Sequence, residues 1–140
     1  MTKKIISLIG WSALLVLLTG ALTAASPTPN VTFTLVSGLP ATMNVGDTAT
    51  VVVQVTSDQP FNFAQMLPNF QYPGKGVVAV QGGDHAGSGT TATLQITFKA
   101  KSSTASKFPG GVAPVSVVAG ARFQGGYVAS QQFDFDVAVP

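Results

Sequence analysis

The chain has 140 residues, room for one domain, and carries seven Lys plus Arg, five Asp plus Glu, one His and no Cys. The missing Cys excludes a disulfide scaffold, a thiolate zinc site and a cysteine nucleophile. Beyond Lys3 and Lys4 the charges balance: Lys75, Lys99, Lys101, Lys107 and Arg122 stand against Asp47, Asp58, Asp84, Asp134 and Asp136, with no Glu. The basic excess that nucleic-acid binding requires is absent.

In chain order, a short positive start with Lys3 and Lys4 is followed by an almost unbroken apolar run, Ile5 to Leu18, and by small residues from Ala21 to Ser26. This is the layout of a secretory signal peptide occupying residues 1–25, with cleavage after Ala25. An uncleaved anchor is the alternative, because the 21 uncharged residues Ile5 to Ala25 match the span of a bilayer. Either way the rest of the chain is expected outside the cytoplasm, secreted or at the cell surface, with membrane contact only through residues 1–25. No Cys follows the apolar run, so a lipoprotein anchor is excluded. Pro27 and Pro29 make residues 26–30 an extended arm.

From Val31 the hydrophobic period is two. Val31, Phe33 and Leu35 alternate with Thr32 and Thr34, a half-buried strand. Gly38 to Pro40 breaks it, Val45 to Asp47 turns, and Thr48 to Ser57 carries Val51, Val53 and Val55 on one face with Val52 on the other, as a central strand would. Asp58, Gln59 and Pro60 read as a turn. Phe61 and Phe63 open a further strand, which Pro68 stops or confines to an edge. Asn69 to Gly76 is a loop bearing Phe70 and Tyr72. Val77 to Gln81 is a short strand, and Gly82 to Gly89 is a glycine-rich loop. Ala92, Leu94, Ile96 and Phe98 then form the dry face of the most regular strand, with Thr91, Thr93, Gln95, Thr97 and Lys99 on its wet face. After a polar connection from Lys101 to Gly111, Pro114 to Gly120 is apolar, Gly125 and Gly126 mark a hairpin turn, and Phe133, Phe135, Val137 and Val139 alternate with Asp134 and Asp136. Seven to eight strands and no amphipathic helix predict an all-β fold, a single antiparallel sandwich over residues 31–140.

The run Val45, Gly46, Asp47, Thr48, Ala49, Thr50, Val51, Val52, Val53, followed by Thr56, Ser57 and Asp58, resembles the turn and second strand of bacterial extracellular immunoglobulin-like domains. Leu94 to Ala100 is similar to a later strand of such domains and of cohesin modules. The resemblance implies an immunoglobulin-like sandwich used for display, adhesion or scaffolding, and it supplies no catalytic residues. The Cys pair and core Trp of antibody domains are missing, since the only Trp is Trp11.

No catalytic set, cofactor motif or strong metal site emerges. Asp84, His85 and Ser88 are close in sequence, but a relay needs groups converging in space. Gly82 to Gly89 lacks the Gly-Lys and following helix of a phosphate cradle. Asp134 and Asp136 project from one strand face and are weak calcium candidates, with Asp47 or Asp58 as further oxygen donors; the alternative is that they keep that face wet. Phe70, Tyr72 and Tyr127 are candidates for stacking on a glycan or a partner protein, or else cap the core. Asn30-Val31-Thr32 is a glycosylation sequon. Charged residues make up only 9% of the chain, against about 25% in typical soluble domains, which favours self-association through strand edges. The expected function is a non-enzymatic structural or adhesive domain forming homo-oligomers or fibres. The rival is a monomeric binding module for a glycan or surface protein, using the Phe70 and glycine-rich loops.

Overall fold

The computed structural model describes residues 27–140, so the signal segment read at 1–25 lies outside the described residues. Seven strands are present: β1 (Val31–Ser37), β2 (Thr48–Pro68), β3 (Val78–Val80), β4 (Asp84–Ala86), β5 (Gly89–Ala100), β6 (Ala113–Phe123) and β7 (Val128–Val137), with one 3-10 turn at Pro73–Gly76. Every strand ladder is antiparallel.

The two layers of the sandwich share one strand. The first part of β2, Thr48 to Thr56, lies between β1 and β5, and β3 adds to the far side of β5. The second part, Phe61 to Pro68, lies between β4 and β6, and β7 adds to the far side of β6. Between them, Asp58, Gln59 and Pro60 were expected to form a turn, and this is corrected: β2 continues through them, 21 residues in all, and exchanges β1 for β6 on one side and β5 for β4 on the other. The turn-type residues serve the exchange instead. Pro60 has no N–H to leave unpaired where the ladder is interrupted, and the Asp58 carboxylate accepts the Asn30 N–H at 2.8 Å.

The core follows the period-two pattern. Val51, Val53 and Val55 stand beside Ala92, Leu94, Ile96 and Phe98 on the inner face of the first layer, and Ala64, Met66, Val115, Val117, Ala119 and Ala121 close the core from the second. Each fully buried Val, Leu, Ile or Phe side chain stabilises the sandwich by about 1.5–3 kcal/mol. The all-β antiparallel sandwich of seven strands is therefore as the alternation predicts.

Local boundaries differ in three places. The glycine-rich loop contains β4, whose Ala86, His85 and Asp84 pair with Ala64, Gln65 and Met66. β6 is longer than Pro114 to Gly120, and β7 begins at Val128 rather than near Phe133. Pro114 is tolerated inside β6 because it pairs only with Asp136 of β7, while the β2 ladder reaches no further than Val117.

Two clasps close the sides. On one, Asp84 of β4 crosses to the other layer, its carboxylate accepting the Gln95 N–H of β5 at 2.8 Å. On the other, the segment before β2 runs parallel to the end of β7, with the Met43 N–H donating to Ala138 at 2.9 Å and the Ala138 N–H to Ala41 at 2.8 Å.

Candidate functional site

The three aromatic candidates have different fates. Tyr72 is only 4% exposed. The 3-10 turn that follows it folds it inward, where its ring meets Phe98 edge-on and its hydroxyl donates to the Val78 carbonyl at 2.8 Å. Burial pushes its phenol pKa up. Tyr72 is core, and its candidacy as a contact residue is corrected. Phe70 is 69% exposed, beside Asn69, whose N–H donates to Ser116 near the start of β6. Tyr127 is partly exposed against Phe123 at the far end of β6. At about 3.3 Å per residue the seven-residue separation of Ser116 and Phe123 places them roughly 23 Å apart. Phe70 and Tyr127 therefore do not converge on one ligand.

Around Tyr127 lies a groove of about 540 Å³ between the N-terminal arm and the β6–β7 turn, lined by Pro27, Pro29, Pro60, Asn62 and Phe123 among others. Gln59 ties the arm down by donating to the Pro27 carbonyl at 2.8 Å. A second hollow of about 300 Å³ lies on the outer face of the second layer, between Phe63, Gln65, Gly120, Arg122 and Val128. His85 stacks on Phe63 there at 5.9 Å. Sequence alone singled out neither Phe63 nor Arg122, because their apposition depends on the β2–β6 register.

The polar candidates are structural in their contacts. Asp84 accepts the backbone N–H groups of His85 and Gln95 with its two oxygens, so it does not orient the imidazole, and no relay of Asp84, His85 and Ser88 forms. Asp134 accepts from the Ser116 hydroxyl at 2.7 Å and from the Gln132 amide at 2.8 Å. The Ser116 bond and then the Gln132 bond hold its carboxyl below the ordinary range. Asp47 accepts the Asn44 N–H and Asp58 the Asn30 N–H. Among the described residues no three His, Asp or Glu side chains meet in a metal-binding group, so the structure does not gather Asp134 and Asp136 with Asp47 or Asp58.

What remains is the set of strand edges. Among the described residues, β1, β3, β4 and β7 each pair on one side only. β3 and β4 have three residues each, and the Asp84 carboxylate caps β5 beside them. β7 carries Asp134 and Asp136 and is covered at its end by the Ala41–Met43 segment. β1 has seven residues and no charge, with Leu35 39% and Val36 61% exposed. Long uncharged apolar edges are templates for further strand pairing.

No protein-family model and no curated protein matches the chain. Among solved structures it is similar to the native conformation of Escherichia coli alpha-2-macroglobulin, at 17% identity and a TM-score of 0.48 over 78% of this chain and 7% of that one. It is also similar to the Bacillus subtilis sporulation control protein Spo0M, at 18% identity and a TM-score of 0.41 over 81% of this chain and 50% of that one. Murine CRIg aligns at 9% identity and a TM-score of 0.37 over 81% of this chain and 99% of that one. The chain thus spans 7% and half of the first two. At these identities the likeness concerns fold alone, and the architecture rests on the ladders above.

Proposed function

We propose that the chain is a non-enzymatic secreted or cell-surface domain with a structural or adhesive role, exported by residues 1–25 and self-associating through a sheet edge. The observation that carries this reading is β1, an uncharged edge strand with exposed Leu35 and Val36 in a chain with few charges to keep copies apart. The resemblance of Val45–Asp58 and Leu94–Ala100 to bacterial extracellular immunoglobulin-like and cohesin modules supports the same role.

The test has two readouts. Cells producing the full chain are fractionated, and the chain is expected in the envelope, matrix or medium; recovery from the cytoplasm overturns the export. The mass of the form beginning at Ser26 is measured by light scattering with refractive-index detection, because Trp11 is the only Trp. A mass of two or more chains is expected. A single chain at high concentration overturns self-association and favours the monomeric binding module, for which the Tyr127 groove is the observation; glycan and partner screens would then follow.

A further inference from the structure

The β1 edge can be analysed amide by amide. The Asp58 N–H donates to the Asn30 carbonyl, and the Asn30 N–H donates to the Asp58 carboxylate. Both backbone groups of Asn30 therefore face β2. In an antiparallel ladder this orientation recurs at every second residue. The register Val31↔Ser57 through Leu35↔Val53 is unbroken, so Thr32 and Thr34 also turn their backbone groups toward β2. Val31, Phe33 and Leu35 turn theirs away from it. Outside the β1–β2 ladder, none of the described backbone bonds involves those three residues.

We propose that this edge pairs with the same edge of a second copy, antiparallel and twofold, with Phe33 opposite Phe33. The inference rests on the self-association reading above and names its surface and partner. In this register Val31 meets Leu35 of the second copy, and each of the outward-facing residues meets another, with two hydrogen bonds in each pair. The edge is self-complementary, as a twofold interface must be. Thr32 meets Thr34 on the wet face, and no charge opposes a like charge.

The apolar face argues for the same occupant. Val31 and Phe33 are half-buried against the core, whereas Leu35, on the same face, is left 39% exposed at its rim. Val31 of the second copy would cover it. The bulge between Leu35 and Ser37 ends the regular edge one residue after the paired stretch. The β7 edge is less suited, because a twofold pairing centred on Asp134 or Phe135 sets carboxylate against carboxylate. An isologous pair uses up its own edge, so the product is a closed dimer with one continuous sheet, not a fibre.

The protein is studied both as the full chain in detergent and as the form beginning at Ser26. Light scattering is expected to give the mass of two chains. Leu35→Pro removes an outward N–H and places a ring where the partner strand would lie, sparing the β2 ladder; it is expected to give the mass of one chain with the far-UV spectrum of the parent. The chain has no Cys, so Thr32→Cys and Thr34→Cys copies report the register: mixed and oxidised, they are expected to cross-link to each other far more than either does alone. This cross-linking stands even if Leu35→Pro does not fold. Oligomers that persist in folded Leu35→Pro, or equal cross-linking in mixed and unmixed samples, overturn this inference while leaving self-association intact. A wild-type chain that stays single, with rapid amide exchange at Val31, Phe33 and Leu35, overturns both.

Discussion

Among the described residues Thr104 is the one buried polar residue, 3% exposed, and it fastens the segment that follows the last strand. Its N–H donates to Val139, its hydroxyl lies 2.8 Å from the Gly111 carbonyl and 3.0 Å from that of Val139, and it accepts the Val139 N–H at 3.1 Å. Thr104→Val keeps the shape and the backbone bond but strips the hydroxyl's partners, so urea denaturation should show a loss of about 1–3 kcal/mol. Tyr72 is the second residue whose polar atom works inside. Its folded-state pKa is raised by burial, so its contribution to stability is present below a phenol's ordinary pKa of about 10 and is lost as pH rises through the folded value. Wild-type denaturation midpoints should therefore fall more steeply above about pH 10 than those of Tyr72→Phe, which loses the bond to Val78 at every pH. Nothing in the sequence marked Thr104, and for Tyr72 the core reading stood beside the contact reading with no way to choose between them. Phe70 and Tyr72 stand two residues apart in one loop of Gly, Pro and aromatics, and only the turn at Pro73–Gly76 sends one outward and the other under Phe98. That turn needs a glycine: a Cβ at Gly74 would lie 2.5 Å from the Pro114 carbonyl oxygen.

At the scale of elements, strands whose neighbours stay the same along their length were readable. β5 buries alternate residues from Ala92 to Ala100, because one face meets the core throughout. β2 was not readable as one strand, since Asp58-Gln59-Pro60 has the composition of a turn whether the chain reverses there or merely changes partners. β4 was hidden for a related reason: three residues among glycines carry no period, and the strand is held by its pairing with Ala64 to Met66 and by the Asp84 bridge to β5. Asp84→Ala should release the Gln95 N–H and loosen β4, at a cost of about 1 kcal/mol. Amide exchange at Gln95 should quicken markedly more than at Leu94, while Asp84→Asn, which keeps an acceptor oxygen, should lose less. That β1 is an edge was equally beyond the sequence, because the alternation of Val31 to Leu35 is the same with one neighbour or two.

For the whole molecule, charge balance has a measurable consequence. With five cations and five carboxylates beyond Lys4, association between copies draws on backbone pairing and apolar cover, not on attraction between opposite charges. Raising salt from about 0.05 to 0.5 M should leave the mass by light scattering unchanged, whereas an ion-pair interface would dissociate.

The positions of the two ends of the described chain have a mechanical meaning. Pro27 is tied beside Gln59 at the end of the sandwich that holds the β6–β7 turn, while Val139 is tied to Thr104 at the other end. A pull between them runs along β1 and β7, so the rungs joining β1 to β2 and β6 to β7 are loaded together in shear. They are not unzipped one by one. Because β2 belongs to both layers, the load on one layer is passed to the other through a continuous covalent strand. A domain so arranged resists tension along its long axis.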